Sequence, residues 1–305
     1  PPVLWHRSLG QGYSSFVAAD ERVFTQYQSL AGQYVACLDA GTGATLWEYR
    51  YDWPFEAAGL YPGPRATPTL SERRVYFAGP SGLVGCLTWD GDLVWQVPAR
   101  EKFGGRWAEF GYACSPTVVD GLVLLPLGGP GAALVALDAR DGTTRWQAGD
   151  DSASYTPAYP IELDGHKQVI GYLENALACF DRTTGALLWR RDLSQGYDEH
   201  AAWPIFVPPQ LWISAPFMWG SSLLELSADG TPAETVWHLP LLSNDVFSSV
   251  QHRGLLYGFD LKDVQAKSHR ASRGVFRCLD WQTGAARWES DRTGHCSVLW
   301  ADDKL

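Results

Sequence analysis

A phrase of eleven residues returns along the chain. Cys37-Leu38-Asp39-Ala40-Gly41-Thr42-Gly43-Ala44-Thr45-Leu46-Trp47 is matched from Ala136 to Trp146, from Cys179 to Trp189 and from Cys278 to Trp288. A copy one residue shorter runs from Cys86 to Trp95, and one with a longer turn from Leu224 to Trp237. Trp5, Trp47, Trp95, Trp146, Trp189, Trp237 and Trp288 keep the register at intervals of 42 to 51 residues. A unit repeated at that period cannot bury its own apolar face and must pack on copies of itself. Repetition also explains how 305 residues fold without one oversized core.

Each unit reads as four short strands. In the first, Ser14–Ala19, Arg22–Tyr27, Tyr34–Asp39 and Ala44–Trp47 are β-rich runs separated by turn residues. Thr67-Pro68-Thr69-Leu70 and Ser115-Pro116-Thr117-Val118 open the next two units, and Thr156-Pro157, Trp203-Pro204, Ser249-Val250 and Ser297-Val298 open later ones. No window sustains a 3.6-residue period, which excludes helical repeats. Four-stranded units of this length give an all-β fold, a β-propeller of antiparallel blades. Six near-complete repeats with partial terminal blades predict a seven- or eight-bladed propeller or a fragment of one, forming a single domain over 1–305. The chain begins Pro1-Pro2 and ends inside an expected hairpin, so a processed start and a fragment of a longer propeller are expected.

The residue types of the phrase have local reasons. Asp39, Asp138, Asp181 and Asp280 end a strand where a carboxylate accepts turn N–H groups. Gly43, Gly142, Gly185 and Gly284 supply positive φ. Trp47, Trp95, Trp146, Trp189, Trp237 and Trp288 are expected to wedge their rings between adjacent units as structural docking residues. Fifteen Trp against one Met favours fixed geometry over adaptable packing. The unit from Leu224 to Trp237 has Ser227 in place of Asp, and a looser junction is expected there. Four of the six Cys stand where Ala136 stands in another copy, a slot for a small buried residue, and no metal or redox spacing appears.

The phrase resembles the tryptophan-docking motif of the pyrroloquinoline quinone repeat family, Ala-x-Asp-x-x-Thr-Gly-x-x-x-Trp, most closely at Asp39–Trp47, Ala136–Trp146, Asp181–Trp189 and Asp280–Trp288. The resemblance implies a quinoprotein-dehydrogenase-like propeller. It implies two functional branches: dehydrogenases holding the quinone and Ca²⁺ in a central funnel, and a cofactor-free branch that includes the propeller lipoprotein of bacterial outer-membrane assembly. The second branch implies a periplasmic or otherwise extracytoplasmic location. Fold alone does not choose between them.

Loops that lead from the outermost strand of one blade to the innermost of the next gather on one face, where binding groups concentrate. Here they carry Tyr51, Asp52, Trp53, Tyr61 and Arg65; then Lys102, Arg106, Trp107, Glu109 and Tyr112; then Asp150, Asp151 and Tyr155; then Tyr197, Asp198, Glu199 and His200; then Asn244 with Asp245, and Arg292 with His295. From this ring, Arg65, Arg106, Trp107, Asp198, His200, Asn244 and His295 are the ligand-binding candidates. For the dehydrogenase alternative, Arg65 and Arg106 suit the carboxylates of the quinone, Trp107 its ring, and Asp198, Glu199 and Asn244 a calcium ion. Asp198, Glu199 or His200 would then serve as general base. The adjacent-cysteine pair of the alcohol-oxidising branch is missing, and the chain is shorter than typical members of that branch.

No Gly-x-Ser-x-Gly elbow, His-Glu-x-x-His pair or Walker loop is present. Gly128-Gly129-Pro130-Gly131 reads as an inter-strand loop, and Lys262 to Arg273 as a basic insertion. A net charge of −10 argues against a general binder of nucleic acid, and no apolar run reaches the length of a bilayer span. The expected function is therefore a non-catalytic scaffold that recognises a protein, peptide or small ligand through its loop face, with no cofactor. The alternative is an alcohol- or sugar-oxidising dehydrogenase that uses pyrroloquinoline quinone and calcium.

Overall fold

The computed structural model describes residues 3–57, 60–193, 200–227, 234–262, 274–294, 296–302 and 304–305. Its contacts divide the chain into two compact units, Pro1–Ala158 and Tyr159–Leu305. Each unit holds three four-stranded antiparallel sheets, strands joined in chain order. The fold class is that of a multi-bladed β-propeller.

In the first unit, one sheet comprises β1 (Val17–Ala19), β2 (Arg22–Ser29), β3 (Gly32–Asp39) and β4 (Thr45–Asp52). A small hairpin, β5 (Glu56–Ala57) with β6 (Leu60–Pro62), leads to the second: β7 (Thr69–Ser71), β8 (Arg74–Ala78), β9 (Leu83–Thr88) and β10 (Leu93–Pro98). The five-residue helix α1 (Ala99–Phe103) precedes the third: β11 (Thr117–Val119), β12 (Leu122–Gly129), β13 (Ala132–Asp138) and β14 (Thr144–Ala148). The second unit contains β15 (Tyr159–Leu163) to β18 (Leu187–Asp192), β19 (Ile205–Val207) to β22 (Glu234–Leu239), and β23 (Val250–His252) to β26 (Ala286–Ser290). Between these ends run β16 (His166–Tyr172), β17 (Ala176–Asp181), β20 (Gln210–Ala215), β21 (Gly220–Glu225), β24 (Leu255–Leu261) and β25 (Gly274–Asp280).

The innermost strands start later than the sequence suggests. β1 begins at Val17 rather than Ser14, and β7 and β11 begin one residue after Pro68 and Pro116. The polar residues ahead of them also bond from sheet to sheet. Ser15 N–H donates to Thr67 Oγ1 at 3.1 Å, and Thr67 N–H donates to Ser115 Oγ at 3.0 Å. In the second unit Trp203 N–H donates to Ser248 Oγ at 2.9 Å.

The repeated phrase folds the same way each time. Its Trp pairs directly with the small slot of the preceding strand: Cys37 with Trp47, Cys86 with Trp95, Ala136 with Trp146, Cys179 with Trp189 and Cys278 with Trp288. A β-bulge follows in every copy, and it steepens the local twist of the outer strand. Asp39 Oδ1 accepts from both the N–H and the hydroxyl of Thr42 at 2.7 Å, and Asp181 and Asp280 do the same with Thr184 and Thr283.

Gly43 and Gly142 meet two demands at once. Both have φ of +72°. A Cβ on Gly43 would also stand 2.6 Å from the Trp5 ring, and one on Gly142 2.7 Å from the Trp95 ring. The glycine is thus both the left-handed turn residue and the flat seat of an indole from earlier in the chain, Trp5 ahead of β1 for Gly43 and Trp95 of β10 for Gly142.

The indoles also reach carbonyls of the following sheet. Trp5 Nε1 donates to Ala40 O at 2.8 Å, Trp47 to Trp89 O at 3.0 Å, Trp95 to Ala139 O at 3.1 Å and Trp237 to Trp281 O at 3.0 Å. Trp237 therefore makes the same bond as the others, despite Ser227 and the altered turn, whose residues 228–233 lie outside the described set. Trp95, Trp146, Trp189 and Trp237 are buried, whereas Trp288 is 45% exposed. The apolar cores lie between neighbouring sheets. Phe24, Val75, Phe77 and Trp89 fill one, and Tyr76, Trp95, Val123 and Leu137 the next. Trp189, Leu211 and Leu224, then Trp212, Trp237 and Leu279, do so in the second unit.

Candidate functional site

Antiparallel sheets joined in chain order put the loop leaving β4, the loop leaving β10 and the loop leaving β14 at one end of the first unit. The segment before β1 joins them. Gln11 pairs with Gln28, and Tyr13 N–H donates to Pro64 O at 2.8 Å. Arg106 N–H donates to Leu127 O at 2.8 Å and Ala153 N–H to Arg106 O at 3.0 Å. Main-chain bonds thus tie these loops to strands or to one another, and the side chains they carry have fixed neighbours.

Four aromatic rings form a continuous path across this end. Tyr13 and Tyr61 have centroids 6.4 Å apart, Tyr61 and Phe110 meet edge to face at 5.3 Å, and Phe110 and Tyr155 lie 6.3 Å apart. Tyr13 is 56% exposed and Tyr61 48%. Tyr61 has a φ of +58°, a left-handed conformation that is costly for a bulky residue and concentrates at functional sites.

Arg65 sits beneath this path. Its Cζ lies 5.4 Å from the Tyr13 ring and 5.9 Å from the Phe55 ring, within cation–π range. Its NH1 and NH2 donate to Gly63 O at 2.8 Å and Tyr61 O at 2.7 Å. Both acceptors are neutral carbonyls, and among the described residues no carboxylate pairs with it. Burial pulls its pKa below the ordinary arginine value, and only the phenols of Tyr13 and Tyr155 oppose that.

The other candidates in this unit are consumed by the fold. Arg106 Nε donates to Gly128 O at 3.0 Å and its NH2 to Asp150 O at 3.2 Å. Trp107 meets Tyr112 edge-on at 5.2 Å, carries Arg100 over its ring and seals the approach to Gly82 and Gly105. Tyr51 and Tyr112, expected on the loop ring, are buried in the cores. The Gly128–Gly131 stretch ends β12 and turns into β13, with Gly131 N–H donating to Asp150 Oδ1 at 2.7 Å.

In the second unit, His200 is fully buried and stacks on Tyr172 at 4.1 Å, with the rings 13° from parallel. Asn244 is a knot rather than a ligand donor. Its N–H donates to Ser214 Oγ at 2.8 Å, its Nδ2 to Phe259 O at 3.1 Å, and its Oδ1 accepts from Ser249 Oγ at 2.8 Å. Beside it is a buried ion pair that the sequence reading missed. Arg277 Nε lies 2.8 Å from Asp260 Oδ2, Glu289 takes its NH1, and Asp260 Oδ1 accepts Ser243 N–H at 3.0 Å. Asp198, Glu199 and His295 lie outside the described residues, as does the insertion beyond Lys262. Among the described residues no group of three or more His, Cys, Asp and Glu gathers at metal-binding distance, and no helix is long and apolar enough to cross a membrane.

The family described as outer membrane protein assembly factor BamB matches residues 31–263. A search of curated proteins returned no match. Among solved structures, a europium-containing methanol dehydrogenase is similar with a TM-score of 0.68 at 13% identity, covering 96% of this chain and 73% of that one. BamB from Moraxella catarrhalis is similar with a TM-score of 0.59 at 20% identity, covering 88% of this chain and 74% of that one. A quinohemoprotein alcohol dehydrogenase from Pseudomonas putida HK5 is similar at 0.63 and 13% identity, covering 94% of this chain and 60% of that one. At such identities the structural likeness is one of fold.

Proposed function

The chain belongs to the family described as outer membrane protein assembly factor BamB, a propeller of pyrroloquinoline-quinone-like repeats, and on that premise we propose that it is a binding scaffold without catalysis. It takes peptide segments of partner proteins on the loop end of its first unit. The supporting observation is the aromatic path there, two of whose tyrosines stand about half exposed on loops tied to rigid sheets. Large aromatic side chains on fixed loops supply contact area at small entropic cost, and they dominate protein recognition sites. Residues 1–305 act in this reading as one propeller domain outside the cytoplasm, as the family description suggests. Five of the six cysteines are buried, and burial pushes Cys37 and Cys86 up to about 11. Such thiols are poor nucleophiles and withstand an oxidising compartment.

For pyrroloquinoline quinone with calcium, Asn244, Arg106 and Trp107 are spent on the fold as above, and Asp198 and Glu199, the carboxylates assigned to calcium, lie outside the described residues. No chemical step is derived through that group.

Selection of random displayed heptapeptides on the full chain tests the proposal. Binders are expected, and Tyr13→Ala and Tyr61→Ala should each weaken them at least fivefold. Failure to select any binder, together with dye reduction on adding pyrroloquinoline quinone and Ca²⁺, would replace the scaffold with a dehydrogenase.

A further inference from the structure

We infer that Arg65 is the hydrogen-bond donor that receives an acidic side chain of an extended peptide, whose apolar neighbours lie along Tyr13, Tyr61 and Phe110. The inference deepens the scaffold reading above and rests on it. Its starting point is an imbalance of charge. The chain has 34 acidic residues against 24 Lys and Arg, yet among the described residues none of those carboxylates pairs with Arg65. Elsewhere acids find arginines readily: Arg22 with Asp90, Arg73 with Asp20 and Arg277 with Asp260. A half-buried cation held only by neutral carbonyls and ring faces has desolvation left uncompensated. A carboxylate arriving from outside relieves it, and the planar guanidinium offers that carboxylate a fork of donors.

The rings choose the kind of carboxylate. An inorganic anion has no use for apolar contact. Tyr13, Tyr61, Phe110 and Tyr155 are spaced 6.4, 5.3 and 6.3 Å along the path. Same-face residues of an extended chain recur about every 6.6 Å, two residues at ~3.3 Å each. An Asp or Glu with apolar residues two positions away therefore meets Arg65 and the rings together. The tilted and edge-on ring pairs do not present the flat, coplanar stack that a planar ligand would need. The two carbonyls that hold the guanidinium, Tyr61 and Gly63, lie just before it in the chain and fix where its free donors point.

The test uses the full chain and peptides selected on it at random. The consensus binder is synthesised twice, once with its acidic residue and once with the matching Asn or Gln. Binding of each is titrated against wild type, Arg65→Gln, Arg65→Lys and Tyr61→Ala, after confirming that each variant unfolds cooperatively. A charge-assisted hydrogen bond is expected to favour the acidic peptide about tenfold or more on wild type. Arg65→Gln should abolish that preference, Arg65→Lys should restore part of it, and Tyr61→Ala should weaken both peptides alike. Selected peptides that bind at the tyrosines without preference for acid would overturn the role of Arg65 while leaving the scaffold standing. Displacement of the peptide by inorganic phosphate at equal concentration would mark a simple anion site and overturn the peptide assignment. Absence of any selected peptide would end both readings.

Discussion

Arg277 and Arg65 are both drawn out of water, and they differ in what answers their charge. Arg277 is 7% exposed, with Asp260 and Glu289 on its guanidinium and Ser243 N–H completing Asp260. Two of its three guanidinium nitrogens, Nε and NH1, end on carboxylates within the protein. Arg65 is held by two main-chain carbonyls and two ring faces, and no acid meets it among the described residues. The first arrangement fixes a sheet. The second leaves binding capacity on a surface that the sheets hold rigid. A charge that is neither exposed nor paired is the better guide to a site than a charge that is merely present on a loop, as Arg106 demonstrates.

The contrast predicts its largest effect at Arg277. Arg277→Met leaves Asp260 buried without a counter-charge, and removal of one partner from a buried pair typically costs about 3–5 kcal/mol. Denaturant unfolding of the full chain measures this. Adding Asp260→Asn should recover much of the loss, because the stranded charge goes with it.

The repeated tryptophans extend the same logic. Trp95 is 7% exposed and its indole is bonded to Ala139 O, so Trp95→Ala should cost about 3 kcal/mol or more. Trp288, at 45% exposure, should cost about 1 kcal/mol when truncated. Equal losses would break the distinction between a seated ring and an open one.

A smaller effect depends on pH. Arg287 and, after it, Thr283 donate to Asp280 and hold its pKa down to about 2. A depressed folded-state value stabilises the protein fully above the ordinary aspartate range. That contribution fades as pH falls toward and through about 2. Asp280→Asn should therefore flatten the acid limb of stability below pH 4, without changing peptide binding by the first unit at neutral pH. Unfolding midpoints measured from pH 5 to 2 check it.

How much of this was readable in the chain follows from range. The strands, the Asp–Thr turns and the glycines under indoles depend on residues within one phrase, so repetition exposed them. Arg65 was recognisable as a loop cation, but its setting was not, because Tyr13, Phe55, Phe110 and Tyr155 come from four separate segments. The Asp260–Arg277 pair was missed although a signal existed. Leu256 pairs with Leu279 and Gly258 with Arg277, so Asp260 and Arg277 share the inward face of adjacent strands. Opposite charges at buried parity in neighbouring strands mark such a pair. The sequence also gave no warning that Asn244 and His200 would be internal, since loops are ordinarily read as surface.

Stability of Arg65→Gln set beside Arg277→Gln tests the central distinction most directly. Arg65→Gln gives up two bonds to carbonyls at a half-buried position and should cost about 1–2 kcal/mol. Arg277→Gln should lose about 3 kcal/mol or more. An Arg65 variant that falls as far as its Arg277 counterpart would make Arg65 another structural tie and contradict the account.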